Sequence, residues 1–240
     1  MTSVPKPLKF LKAEYEGLKQ QFDRMSPDSK NRTILADVIS VLAMTSAPEE
    51  SRETLKYKLL AGDLDVSLWG HEYIRRLCGE ISSEYAEKNL ESYEKDNLMK
   101  LVSGIVPWNM THNAEPEAVD LCVEVERLDI LISAIDENNC DRACLYLLAI
   151  SSYLPEPDNS LVLQAAYDAY CKVKRWTDAL RVALRLGDSN LATDILLKSD
   201  DVLEQKQLSF MLGEAKVWVD LEKFEMLDSE VRAQLASNIG

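Results

Sequence analysis

Apolar residues recur at helical spacing almost everywhere along the chain. Ile34, Leu35, Val38, Ile39, Val41 and Leu42 fall on one broad face of a 3.6-residue period. Leu98, Leu101, Val102, Ile105 and Val106 repeat the pattern. Val119, Cys122 and Val125 do so again, and Leu128, Leu131, Ile132 and Ile135 continue it after a break. No segment alternates strictly over a strand's length, and strand-preferring residues do not cluster between turn signals. The pattern predicts an all-α fold.

Start and stop signals cut the pattern into short helices. Ser26, Pro27 and Asp28 supply a cap, a first-turn proline and an acid ahead of the helix holding Ile34. Ala47, Pro48, Glu49 and Glu50 open the next, which is expected to end near Gly62. Ser67 is placed to cap a long helix running through Trp69 to about Lys88. Glu115, Pro116 and Glu117 start another. The prolines at 155 and 157 force a break after Tyr153 and Leu154, because proline removes a donor and restricts the residue before it. Gly187 reads as a helix stop, with Asp188 and Ser189 as the new cap. Short connectors between such helices predict an irregular array of antiparallel helical hairpins with no sheet.

One hairpin has repeat character. Ala166, Ala169, Ala179 and Ala183 are small enough for two helices to approach closely, with Tyr170 and Trp176 between them. This is tetratricopeptide-like, although the period is not sustained. Arrays of that kind present surfaces on which other proteins lie. The polar stretch from Glu87 to Asn97 predicts a long loop or an exposed helix end, and a candidate seam. Val219 to Glu230 mixes acids with Leu221, Phe224, Met226 and Leu227, as in a tail or a helix awaiting a partner.

Composition sharpens the picture. Eight glycines in 240 residues are about half the usual usage of roughly 7%, which again disfavours turn-rich β folds. The formal charge of −14 opposes binding to nucleic-acid phosphates or anionic membranes, so neither is expected as a partner. Five cysteines at scattered spacing read as reduced core thiols of an intracellular protein. The first residues hold no apolar run of signal-peptide length, and no stretch reaches the length of a membrane span.

Little of this resembles catalytic chemistry. His71 and Glu72 look like the start of a zinc-protease helix, but that site needs a second histidine one turn on, where Arg75 stands. His112 reads as a donor at a helix end. Cys140 and Cys144 share a helix face, but no second ligand pair accompanies them, so they read as core. Trp69, Trp108, Trp176 and Trp218 are expected as wedges between helices. No catalytic residue, cofactor or metal is expected. Residues 101–150 hold two basic and nine acidic side chains, so the charge is local. Glu117, Asp120, Glu124, Glu126, Asp129, Asp136, Glu137 and Asp141 are the candidate protein-binding face for a basic partner.

Several strings carry a resemblance. They are Thr2 to Leu11, Leu35 to Ala43, Glu53 to Leu60, Trp69 to Arg75 with Gly79 to Ile81, His112 to Glu115, and Glu117 to Leu121. Glu124 to Glu126, Cys144 to Leu147 and Tyr153 to Asp158 follow in the same order. Together they resemble the N-terminal helical region of the large base scaffold subunits of the 26S proteasome regulatory particle, from Thr2 to about Leu212.

The resemblance implies a non-enzymatic scaffold beside the proteasomal ATPase ring and other base subunits. It also implies contact, through the full-length protein, with ubiquitin, ubiquitin-like shuttle receptors and a deubiquitinase. In that family the main docking sites lie on a following toroid of helical repeats, so no receptor residue is carried over to this chain. The expected organisation is a helical domain at 1–212, then an acidic segment at 213–240 leading toward such a toroid. Cytoplasm and nucleus are the implied compartments. A free-standing tetratricopeptide-like adaptor outside the proteasome is the alternative.

Overall fold

The structure, a computed structural model, describes residues 10–239 apart from 28, 63, 88, 89, 218 and 220–228. Thirteen α-helices and three short 3-10 turns are present among the described residues, and no strand. The all-α expectation holds, and packing is mainly between helices consecutive in sequence. The chain divides into two compact units, Met1–Leu131 and Ile132–Gly240.

The first unit contains α1 (Tyr15–Arg24), α2 (Lys30–Ser46), α3 (Glu53–Ala61), α4 (His71–Tyr85), α5 (Ser92–Thr111) and α6 (Glu115–Glu124). Helix α2 packs against α1 and α3, α4 against α3 and α6, and α5 against α6. Ile39, Leu42, Leu55, Ile74, Leu77 and Ile105 are among its solvent-free core residues.

That core also holds charges. Lys58 of α3 is fully buried, and its Nζ lies 2.7 Å from Asp37 Oδ1 of α2. Trp69 donates its indole N–H to Asp37 Oδ2 at 2.7 Å. Ser40 Oγ donates to the Thr54 carbonyl at 2.6 Å, so the Tyr73 hydroxyl, 2.7 Å away, donates to Ser40. Burial pushes the Tyr73 hydroxyl well above the usual tyrosine range, which keeps that proton in place. Glu80 of α4 accepts from the Leu55 amide at 2.8 Å and from Arg76 Nε at 2.7 Å. Asp37, Lys58, Ser40, Tyr73 and Glu80 thus each meet a partner on a different helix or turn, and removing one partner would strand the other.

The second unit contains α8 (Cys140–Ser151), α9 (Asp158–Lys172), α10 (Trp176–Leu186), α11 (Ser189–Lys198), α12 (Val202–Glu214) and α13 (Ser229–Ile239), while α7 (Leu128–Ala134) spans the division. Here close approach comes from small residues. Ala166, Ala169, Ala179 and Ala183 are solvent-free at the α9–α10 pair, and Tyr170 is buried with them. Basic side chains close helix ends from the periphery. Lys172 Nζ donates to the Ile132 and Ser133 carbonyls, both at 2.8 Å. Arg185 reaches the Leu148 carbonyl at 3.2 Å and Ser151 Oγ at 2.8 Å.

One loop closure recurs. The amides of Ala114, Arg127, Arg175, Asp188 and Val217 bond back to the carbonyls of Asn109, Cys122, Tyr170, Ala183 and Leu212. Each closure needs a left-handed residue just before the donor. Only one of these is glycine, Gly187 at φ 72°; the others are Asn113, Glu126, Lys174 and Lys216 at φ 56–59°. This accounts for part of the glycine scarcity: polar residues make the turns that glycine usually makes.

Other expectations shift. Ser67 does not cap a long helix. Asp65 caps a 3-10 turn at Val66–Trp69, accepting from the Ser67 amide, and Gly70 at φ 83° separates that turn from α4. Ser26–Asp28 precede α2 by more than one residue, since the helix begins at Lys30. The acids after Pro48 form a 3-10 turn, and α3 starts only after Arg52, which is left-handed at φ 47°. Gly62 ends α3 as expected. Within 87–97, α5 begins at Ser92 behind a reciprocal cap between Glu91 and Glu94. Trp69, Trp108 and Trp176 are half-buried, not fully buried wedges. Trp218 and residues 220–228 lie outside the described residues.

Candidate docking surfaces

The two histidines meet, but around a tryptophan. His112 stacks on Trp108 with ring centroids 4.0 Å apart, and His71 sets its edge against Trp108 at 4.6 Å. His112 Nδ1 lies 2.8 Å from the Trp108 carbonyl, so that nitrogen carries the proton and donates. This is the helix-end role its position predicts. One turn after His71, Arg75 pairs with Glu117 at 3.4 Å. Among the described residues no group of three or more His, Cys, Asp or Glu is placed to hold a metal ion.

Cys78, Cys122 and Cys144 are packed, not poised. Burial pushes Cys78 and Cys122 up to about 12. Cys140 and Cys144 lie with sulfurs 3.7 Å apart, both buried. The bond shared with Cys140 pushes the Cys144 thiol up, with burial adding to it, so its proton stays on. A thiol held protonated and out of solvent is a weak nucleophile.

The eight acidic positions divide between the units. Glu117, Asp120 and Glu124 lie three and four residues apart on α6, hence on one face. Asp120 and Glu124 are exposed, while Glu117 is half-buried and meets Arg75. Glu126 is exposed at one of the left-handed closures. Asp129 is gripped by Arg127 at 2.7 and 2.8 Å, and that bond holds its carboxyl below the usual range. In the second unit, Asp136 accepts from the Asn138 and Asn139 amides and shapes the entry to α8. Asp141 pairs with Arg175 at 2.7 Å, and Glu137 is exposed. Structure therefore gathers Glu117, Asp120 and Glu124, and gives Asp129, Asp136 and Asp141 local partners.

Sequence reasoning missed two grooves of the first unit. One, of about 860 Å³, is charged, and its lining includes Thr45, Arg52, Glu72, Arg75, Arg76 and Ser83. The other, of about 600 Å³, runs along α3 to the start of α5 and is mostly apolar. Arg52 lines both, and its guanidinium bonds Glu84 and Glu87. The adjacent leucines Leu59 and Leu60 were the available signal. Both are partly exposed, at 39% and 48%.

A helical array of this kind, with grooves and charged helix faces, defines an all-helical domain of packed hairpins. The chain belongs to the family described as RPN1 N-terminal domain, which matches residues 1–239. It is 46% identical to the 26S proteasome non-ATPase regulatory subunit 2 of Dictyostelium discoideum, over 92% of this chain and 24% of that protein. Homolog A of the same subunit from Arabidopsis thaliana is 40% identical over 98% of this chain and 26% of its own length. The 26S proteasome regulatory subunit rpn1 of Schizosaccharomyces pombe is 39% identical over 95% and 26%. The chain thus spans about a quarter of the length of these relatives. No helix among the described residues is long and apolar enough to cross a membrane.

Proposed function

We propose that this chain is a non-catalytic scaffold segment of a 26S proteasome regulatory particle subunit, acting in ubiquitin-dependent protein degradation. The observation that carries the reading is similarity at 46% identity across 92% of the chain to a protein of that name. The helical fold, the packed thiols and the occupied histidines support a presenting role over a chemical one. Its partners are the proteasomal ATPases and other base subunits, met in cytoplasm and nucleus. Ubiquitin, shuttle receptors with ubiquitin-like domains and a deubiquitinase are engaged through the full-length protein.

The test is purification of the tagged full-length protein from its own cells. Stoichiometric recovery of proteasomal ATPases is expected, and their absence would overturn the reading. His71→Ala and His112→Ala should leave recovery unchanged. The acidic positions of α6 are the proposed contact for a basic partner. Reversing Asp120 and Glu124 to lysine should weaken recovery, with the wild-type interaction itself declining as salt rises. Salt-insensitive recovery, unchanged in the reversed protein, would remove α6 from the interface.

A further inference from the structure

The apolar groove of the first unit is built, not incidental. Leu55 and Leu98 form its floor at 2% and 1% exposure. Leu59, Leu60, Leu90 and Tyr93 form its walls, and Tyr93 is 60% exposed. Both ends are fixed by the chain itself. At one end Arg52, held left-handed at φ 47°, ties the start of α3 to Glu84 and Glu87. At the other, the reciprocal Glu91–Glu94 cap sets the first turn of α5. A groove fixed in this way needs little reordering when it is filled.

The rim specifies what fills it. Its charged side chains are the carboxylates Glu50, Glu84, Glu87 and Glu94 against the cations Arg52 and Lys56. Arg52 is already matched by two of those carboxylates, which hold its guanidinium above its usual pKa. The rim therefore favours basic groups at its edges and opposes acidic ones. A volume of about 600 Å³ lies within the range of clefts that enclose a few side chains, and a leucine-walled trough suits a helix laying down one apolar stripe.

We propose that this groove docks a short amphipathic helix of a partner protein, with apolar anchors at i, i+3, i+4 and i+7 and lysine or arginine at its flanks. The surface is separate from the acidic face of α6, and peptide binding here is read on the 240-residue chain alone. Failure of one proposal therefore leaves the other standing.

The probe is a displayed peptide library with Leu, Ile, Met or Phe at the four anchor positions and Lys, Arg, Glu or Gln elsewhere. It is selected on the 240-residue chain, and affinities are then measured by fluorescence anisotropy. Enriched peptides should carry basic flanks. Leu60→Lys and Tyr93→Ala alter exposed walls and should keep the helical circular dichroism, yet each should weaken binding at least about tenfold. Exchanging the flanking lysines for glutamate should weaken it comparably. No enrichment overturns the proposal. So does a predominance of acidic flanks, or equal binding to wild type, Leu60→Lys and Tyr93→Ala.

Discussion

The two units differ in what they bury between their helices: charged groups in the first, uncharged polar groups in the second. The first pins its helices with buried polar groups: Lys58 on Asp37, Trp69 on Asp37, Tyr73 on Ser40, and Glu80 on the Leu55 amide. The second brings α9 and α10 close with alanine, its buried polar groups such as Ser151, Ser199, Gln205 and Ser209 are uncharged, and Lys172 and Arg185 grip helix ends from outside. Buried partners make each contact specific and make a missing partner severe. Small-residue packing is forgiving of polar change outside but intolerant of added volume inside. The difference says which mutations each unit should resist.

The largest effect is expected at Lys58. Lys58→Ala leaves the Asp37 carboxylate buried beside Trp69 without its cation, at a cost of about 3–5 kcal/mol. Hydrogen exchange of the α2 and α3 amides measures it. The double variant Lys58→Met with Asp37→Leu should recover most of that loss, because an apolar replacement removes both desolvated charges. If the single variant costs under about 1 kcal/mol, the first unit is not pinned by this pair and the contrast collapses.

Next comes added volume in the second unit. Ala183→Leu should cost about 1–3 kcal/mol by forcing α9 and α10 apart, since both Ala183 and its neighbour Ala179 are solvent-free. Exchange of the α9 and α10 amides reports it. Arg185→Ala, which removes only a peripheral grip on the end of α8, should cost less than about 1 kcal/mol. Reversal of that order would mean that this unit, too, depends on its polar contacts.

A smaller effect has the opposite sign. Lys174 and Glu126 sit left-handed at φ 59° and 56°, where a side chain is strained. Glycine relieves the strain but loosens the unfolded chain, so Lys174→Gly and Glu126→Gly should stabilise by about 0.5 kcal/mol net. Thermal melts of the two variants check it. One closure lies in each unit, so equal gains would show that this device, unlike the cores, is common to both.

The contrast also explains what could be read in advance. The α9–α10 hairpin was legible, because its alanines, Tyr170 and the Gly187–Asp188 stop and cap are local signals written in consecutive residues. The role of His112 was legible for the same reason. The first unit's pins were not. Asp37, Lys58 and Glu80 look like solvated positions in a list of residues, and only the fold brings their partners from 21 to 25 residues away. The left-handed Glu126 and Lys174 carry no signal either, since the same residues fill ordinary loops, whereas Asn113 is a residue that tolerates that conformation. Of the candidate surfaces, sequence pointed to the acids of α6 by their spacing. The apolar groove was hidden because its lining comes from three separate segments, and the pair Leu59–Leu60 alone hinted at it.

The smallest expected effect sets one carboxylate of each unit against the other. Burial opposes ionisation of Glu53, but the bonds from Tyr15 and Lys19 outweigh it and hold the carboxyl below its usual value. Its contribution is therefore full above the unfolded carboxylate pKa of about 4.3 and is lost as pH falls through the lower folded value. Asp168 is the reverse. Burial pushes it up, against a partly compensating bond from Gln164 at 3.1 Å. The folded second unit binds that proton more readily than the unfolded chain, so its stability rises as pH falls from the folded value toward about 3.9. Both side chains keep some solvent contact, so each effect should stay near about 0.5 kcal/mol. Hydrogen exchange between pH 3 and 6, corrected for the intrinsic rate, should show α1 and α3 loosening in acid while α9 tightens relative to its Asp168→Asn variant. Glu53→Gln should flatten the first trend alone. A shared trend in both units, unaltered by either substitution, would trace the acid response to net charge and not to these two groups.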